Sequence, residues 1–301
     1  MKLSPGVRFF GPAIILLAPL ANVGLAQVAP AGSNGPAAEG TRLAQRQHGP
    51  ARVHGRRPDN SVESSNWSGF AVTGTAFTDA KGSWTVPTVN CSVTPGTNSS
   101  PTYSSFWVGI DGYTSASVEQ AGTDSDCNGS TPTYYAWYEF YPNPSYEILT
   151  INVRPGDEMS SEISYNGSQF TVTITDKTTG KTFSKSAAVR GAARTSAEWI
   201  AEAPCCSRSG GSLPLSDFET VKFGLDYTGI AGTNDATSGT VKGAISAFGA
   251  AVEQIVMATS AGVDMAVPSA LQTDGTSFTV AWASEGTPPP ASTGGGGHGH
   301  H

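Results

Sequence analysis

Histidine is distributed unevenly in this 301-residue chain: it stands at 48 and 54, then not again until 298, 300 and 301. From residue 61 to residue 297 there is none. That stretch can hold no Ser-His-Asp or Cys-His centre and no His-ligated metal of its own, because each needs an imidazole. Its chemistry must run on carboxylates, amides and hydroxyls. Two segments supply them. In Thr195–Pro204, an extended chain puts Glu198, Ile200 and Glu202 on one face and Ala197, Trp199 and Ala201 on the other. Glutamates four positions apart on a strand lie about 13 Å apart, at ~3.3 Å per residue. That exceeds the reach of a shared-proton dyad and the roughly 5–9.5 Å of paired glycosidase carboxylates, so each needs a partner from elsewhere in the fold. The ordinary fate of such glutamates is solvation on an open face. In the second segment, Val118, Gln120, Gly122 and Asp124 point one way on an extended chain. Gln120 would be an unremarkable half-exposed residue, except that an amide donates two N–H bonds while staying neutral at every pH. That suits an oxyanion developing in acid.

The elements positioning these residues read as strands. From Ser61 to about Ser284, Thr, Val, Ser, Tyr and Trp dominate, glycine turns recur, and no sustained 3.6-residue apolar period appears. Strands are predicted within Ser105–Gly112, which ends in a turn, and at Tyr134–Tyr141, Glu147–Val153, Phe170–Thr175, Thr182–Val189 and Ser277–Ala283. Hairpin turns are predicted at Asn166-Gly167 and Thr178–Lys181. Roughly a dozen short strands at this spacing predict an all-β antiparallel sandwich.

Residues 1–26 have the pattern of an export signal: Lys2 and Arg8, an apolar stretch around Ile14–Ala18, then small residues at Gly24-Leu25-Ala26. Pro12 and Pro19 interrupt the apolar stretch, which is short for a membrane span. Secretion and no membrane partner are expected. Residues 1–60 hold seven Lys/Arg against two Asp/Glu, and residues 61–301 hold ten against 22. So acidic a body offers no basic face for nucleic acid. The basic stretch 27–60, with Arg42, Arg46, Arg52, Arg56 and Arg57, reads either as a disordered linker or as a pro-segment docked electrostatically on the acidic domain and released in acid. Residues 286–301 form a Pro/Gly/His tail, where metal binding would be incidental. Four cysteines behind an export signal favour disulfides. Of the three connectivities, pairing of Cys91 with Cys127 is expected, since they flank Trp107–Asp124; Cys205 and Cys206 are adjacent.

Five motifs in order then carry a resemblance: Asn66-Trp67-Ser68-Gly69, Trp107–Gly112, Gln120–Asp124, Trp137-Tyr138-Glu139 and Ala197–Glu202. Together they resemble the glutamic peptidase (eqolisin) family of secreted acid endopeptidases, over nearly all of residues 61–284. The resemblance implies a two-sheet antiparallel β-sandwich of the concanavalin A type, polypeptide substrates, no cofactor or metal, insensitivity to pepstatin, and a monomeric enzyme. It implies a catalytic pair of Gln120 and Glu202, with Trp67 in the substrate cleft and Asp111, Asp124 and Glu139 at acidic positions close by. Glu202 would activate water as general base and Gln120 would stabilise the oxyanion. Trp107 and Trp137 are expected in the core. The loop from Pro204 to Leu213, with its paired cysteines, departs from the fungal pattern and bears on specificity. Two rival readings suit the same architecture: a non-catalytic lectin-like sandwich, stacking sugars on Trp137 and Tyr135, and a glycosidase pairing Glu202 with Glu139.

Overall fold

The computed structural model describes residues 38–92, 101–205 and 211–286. The predicted export signal, Cys206 and nearly all of the tail lie outside them. The described chain is all-β apart from two short helical turns. Its strands are, in order, β1 (Thr41–Leu43), β2 (Val53–Arg56), β3 (Val62–Ser64), β4 (Trp67–Thr73), β5 (Phe77–Thr85), β6 (Ser105–Ile110) and β7 (Val118–Asn128). There follow β8 (Thr131–Tyr141), β9 (Tyr146–Ile148), β10 (Glu158–Tyr165), β11 (Phe170–Asp176), β12 (Lys181–Ala187) and β13 (Ser196–Glu202). The last are β14 (Thr220–Phe223), β15 (Asp235–Ser238), β16 (Val241–Ala244), β17 (Val252–Ala258), β18 (Asp264–Pro268) and β19 (Phe278–Trp282).

The hairpins fall where the turn residues put them. Tyr165 pairs with Phe170 across Asn166-Gly167, and Asp176 pairs with Lys181 across a turn closed by Gly180. β11 alternates buried and half-buried residues. On its outer face Thr171, Thr173 and Thr175 hydrogen-bond across to Ser186, Ser184 and Thr182 at 2.8, 3.1 and 3.0 Å, the cross-strand pairing expected of a wet sheet face. The predicted strand Glu147–Val153 is shorter than the sequence suggests. Only Tyr146–Ile148 is paired, and the Leu149 N–H turns to the Gly40 carbonyl. Ile151 and Val153 produce the alternation by sinking into the core without a ladder.

β4, β6 and β13 differ from β11: they are buried along nearly their whole length, on both faces. β13 pairs with β4 on one side and β6 on the other, with Glu202 opposite Trp67 and Ser105. β6 then pairs with β7, and β7 with β8, placing Gln120 between Gly109 and Glu139. One face of this sheet rests on the main apolar core, to which Phe106, Val108, Ala121, Ala197 and Trp199 belong. Against it lie β5, β10 and β11. The layers are also tied by the Trp84 indole N–H on the Thr123 hydroxyl at 2.9 Å and the Trp199 N–H on the Lys81 carbonyl at 2.7 Å. The opposite face carries Trp67, Ala71, Trp107, Val118, Trp137 and Ile200 in a separate cluster. A disulfide joins Cys91 to Cys127, as expected, and anchors the end of β7.

Gly69 sits where β4 passes β13 most closely. Its φ is +140°, and a Cβ there would stand 2.2 Å from the Trp199 carbonyl oxygen. No side chain fits without separating the two strands that carry Trp67 and Glu202. Gly69→Ala is expected to cost about 2–4 kcal/mol, from strain plus overpacking, lowering the melting temperature by about 5 °C or more. A calorimetric melt within ~1 °C of wild type would contradict this placement.

Candidate active site

On the second face, the polar side chains come from strand positions that share one orientation. Gln120 and Asp124 extend from β7, Glu139 from β8 and Glu202 from β13, and all four are fully buried. Solvation on an open face, the ordinary fate of such strand glutamates, does not apply here: Glu198 and Glu202 are both 0% exposed. The cover comes from residues 38–57, which run across this face. β1 pairs with β9, β2 pairs with β3, and Gln47 forms a bridge with Cys205.

At the centre of the cover is His48, fully buried. Its ring stacks on Trp137, with centroids 3.5 Å apart and planes at 3°. Nε2 lies 3.3 Å from Asp124 Oδ1 and Nδ1 lies 3.4 Å from Glu139 Oε2. Its backbone N–H donates to Glu139 Oε2 at 2.8 Å, and its carbonyl accepts from the Gln120 amide nitrogen. That amide also donates to Glu139 at 3.3 Å. Burial alone would lower the imidazole pKa; the Asp124 charge and the hydrogen bonds to Asp124 and Glu139 outweigh it and raise the pKa to about 10. These surroundings favour the charged imidazolium form of His48.

Glu202 receives the Trp107 indole N–H on Oε2 at 2.8 Å, while Oε1 is buried without a partner, as is Oε1 of Gln120. Burial pushes the Glu202 carboxyl up to about 8, against the opposing pull of His48. Asp124 is oriented by the Tyr135 hydroxyl at 2.6 Å. Trp67 donates its indole N–H to the Gly49 carbonyl at 3.1 Å. Trp107 and Trp137 are buried in an apolar cluster, as expected, and each also meets a polar group of the site: Trp107 binds Glu202 and Trp137 floors the His48 slot. Asp111 is used differently from Asp124 and Glu139. Its carboxylate accepts the backbone N–H groups of Arg194 and Thr195 at 2.7 and 2.9 Å, fixing the entry to β13. A cavity of about 590 Å³ opens beside the segment, bordered by Arg42, Gln45, Arg46, Tyr103, Asp126 and Tyr135. Among the described residues no group of three or more His, Cys, Asp or Glu could hold a metal.

Sequence reasoning missed His48, because it treated the histidine-free body as the whole site. The visible signal was the basic charge of the segment, which does not locate one residue.

One sheet face thus carries a buried amide and buried carboxylates with an extended backbone segment lying against them. Comparison with known proteins identifies the family. The model of the Peptidase A4 family matches residues 65–267. Scytalidopepsin B of Scytalidium lignicola is 30% identical over 232 residues, covering 74% of this chain and 85% of that protein. Aspergillopepsin-2 of Aspergillus niger is 33% identical over 187 residues, 54% of this chain; the match spans only 64% of that relative's length. The crystal structure of scytalido-glutamic peptidase with a transition state analog inhibitor superposes with a TM-score of 0.57 at 25% identity, over 73% of this chain and 98% of that one. The chain belongs to the Peptidase A4 family, the glutamic endopeptidases.

The buried acids set the pH dependence of stability. Burial lifts Glu119 to about 9, with Asp111 adding repulsion, and raises Glu198 well above its usual 4.5. For these groups and Glu202 the folded state retains a proton that the unfolded chain gives up near pH 4.5. Stability is therefore complete in acid and is lost as pH rises, through about 8 for Glu202 and about 9 for Glu119. His48 acts in the same sense, between 6.5 and about 10. The melting temperature is expected to be highest near pH 4.5 and to fall steadily toward pH 9, less steeply in Glu119→Gln. A melting temperature that rises from pH 5 to pH 8 would refute the assignment of neutral buried carboxyls.

Proposed function

We propose that this chain is a secreted acid endopeptidase in which Glu202 and Gln120 activate water against a peptide carbonyl. The observation that carries the reading is the Gln120 amide donating to a backbone carbonyl of an extended chain in the cleft that holds Glu202. The buried Oε1 atoms of Gln120 and Glu202 have no protein partner, which suits them to a shared water. Glu202, ionised in a hydrated cleft, takes a proton from that water. The oxygen adds to the carbonyl carbon, Gln120 stabilises the resulting oxyanion, and Glu202 passes the proton to the leaving nitrogen. Trp107 positions Glu202; Trp67, Asp124 and Glu139 hold the substrate on either side. The layered strip of strands is read as the concanavalin-type sandwich, and the enzyme as a monomer insensitive to pepstatin.

Residues 38–57 are read as an intramolecular inhibitor. They cover the cleft and are clamped by ion pairs: Arg42 with Glu147 at 2.8 Å, Arg56 with Glu253 at 3.0 Å, and Arg57 with Glu63 and Asp264. Each exposed pair is weak. The sugar-binding reading loses its support, since Trp137 is fully buried under His48.

Hydrolysis of a denatured protein substrate is expected in acid, unaffected by pepstatin. Gln120→Ala is expected to lower kcat by about 10²–10³, the usual cost of a lost oxyanion donor, and Glu202→Gln by at least as much. Either folded variant retaining more than a few per cent of wild-type activity would exclude the pair.

A further inference from the structure

Of residues 41–52, which cross the site, only His48 and Gly49 are buried, and Gly49 has no side chain. The flanking residues are held by their backbones. Gln47 exchanges backbone hydrogen bonds with Cys205 at 2.9 and 3.2 Å. The carbonyls of Gly49 and Pro50 accept from the Trp67 indole and the Asn66 amide, both at 3.1 Å. Backbone pairing of this kind accepts almost any sequence, so selectivity falls to the side chains that have pockets. Here one position has a pocket. The next adds little, since a Cβ on Gly49 would stand at an ordinary 3.7 Å from the Tyr141 ring.

The pocket reads the backbone and the side chain of the same residue. Glu139 Oε2 accepts its N–H at 2.8 Å and lies 3.4 Å from ring Nδ1, while the Gln120 amide donates to its carbonyl. Asp124 Oδ1, whose carboxylate is fixed by the Tyr135 hydroxyl, lies 3.3 Å from Nε2. Trp137 provides a flat floor, parallel to the ring at 3.5 Å. The charged groups around the slot are Asp124 and Asp126 from β7, Glu139 from β8, Glu202 from β13 and Arg46 from the segment, so carboxyl groups outnumber the one guanidinium. A phenyl or aliphatic side chain would leave Asp124 and Glu139 without a partner in an apolar surround. An ammonium is a single point of charge and cannot meet two carboxylates across a flat ring. A guanidinium is flat but stands further from its own backbone. An imidazolium is flat, cationic and carries an N–H at each of the two nitrogens. Resting on the peptidase reading, we propose that Asp124, Glu139 and Trp137 form a histidine-selective subsite. Once residues 38–57 leave the cleft, the slot takes a histidine side chain of the polypeptide substrate, and the chain is cut at a fixed distance from it.

The test uses the full chain in acid with a mixture of denatured proteins, the new termini being read by mass spectrometry. Histidine is expected at one fixed position relative to the cut, enriched about tenfold or more over its abundance. Two synthetic peptides, identical except for histidine or phenylalanine at that position, are expected to differ in kcat/KM by at least about tenfold in favour of histidine. Asp124→Asn is expected to bring that ratio toward one, whatever it does to either rate alone. Should that variant not fold, the wild-type comparison of the two peptides decides. Cleavage of denatured protein with no position enriched in histidine overturns the subsite and leaves the peptidase reading standing. Arginine or phenylalanine enriched there in place of histidine, or a ratio unmoved in folded Asp124→Asn, overturns it equally. If wild type cuts no protein at any pH from 2 to 7, both readings fall together.

Discussion

The structure is organised around carboxyl groups buried in a β-sheet with too few cations to neutralise them. Glu119, Glu139, Glu198, Glu202, Asp111, Asp124 and Asp126 are all buried on or beside β6, β7, β8 and β13. Ionised carboxylates cannot be taken from water singly without a partner. The fold meets this in three ways. Glu119 and Glu198 keep their protons. Asp111 accepts backbone N–H groups. Asp124 and Glu139 share one imidazolium, brought from outside the sheet. A protein built this way is suited to acid, because acid supplies the neutral form its interior already holds.

The cleft and its cover follow from that constraint. Sheet strands buried on one side by the core leave a second face of indoles and carboxyls that requires covering. An extended segment with a cation at its middle satisfies both the apolar and the charged parts of that face. The segment's backbone is held by Gln120, Glu139, Trp67 and Asn66. Trp67, Trp107 and Trp137 each contribute a large apolar surface and, through the indole N–H, one directed hydrogen bond. That combination lets them line a polar cleft while remaining buried.

Much of this was legible in the chain. The hairpins at Asn166-Gly167 and Gly180 follow from turn chemistry, β11 from its period of two, and the Cys91–Cys127 bridge from the positions of the cysteines. The motif order identified the family, and Gln120, Asp124 and Glu139 do fall on one face of neighbouring strands. The seven-residue strand expected at Glu147–Val153 failed because alternating burial does not require a ladder. The burial of Glu198 and Glu202 was not legible, because a strand's periodicity shows which residues share a face, not what lies over it.

By itself, then, the sequence determined the all-β class, the family and the absence of an imidazole within residues 61–297, since these depend on composition, local spacing and ordered motifs. Only the tertiary structure decided that an imidazole reaches the site after all. His48 is 72 residues from Gln120 and 91 from Glu139 in the chain, and no local pattern encodes such a separation. Their meeting is set by the register of β4, β6, β7, β8 and β13 and by the path of residues 38–57 across them. The same long-range pairing turned two ordinary strand residues, a glutamine and a glutamate, into a buried amide and a buried acid on one sheet face.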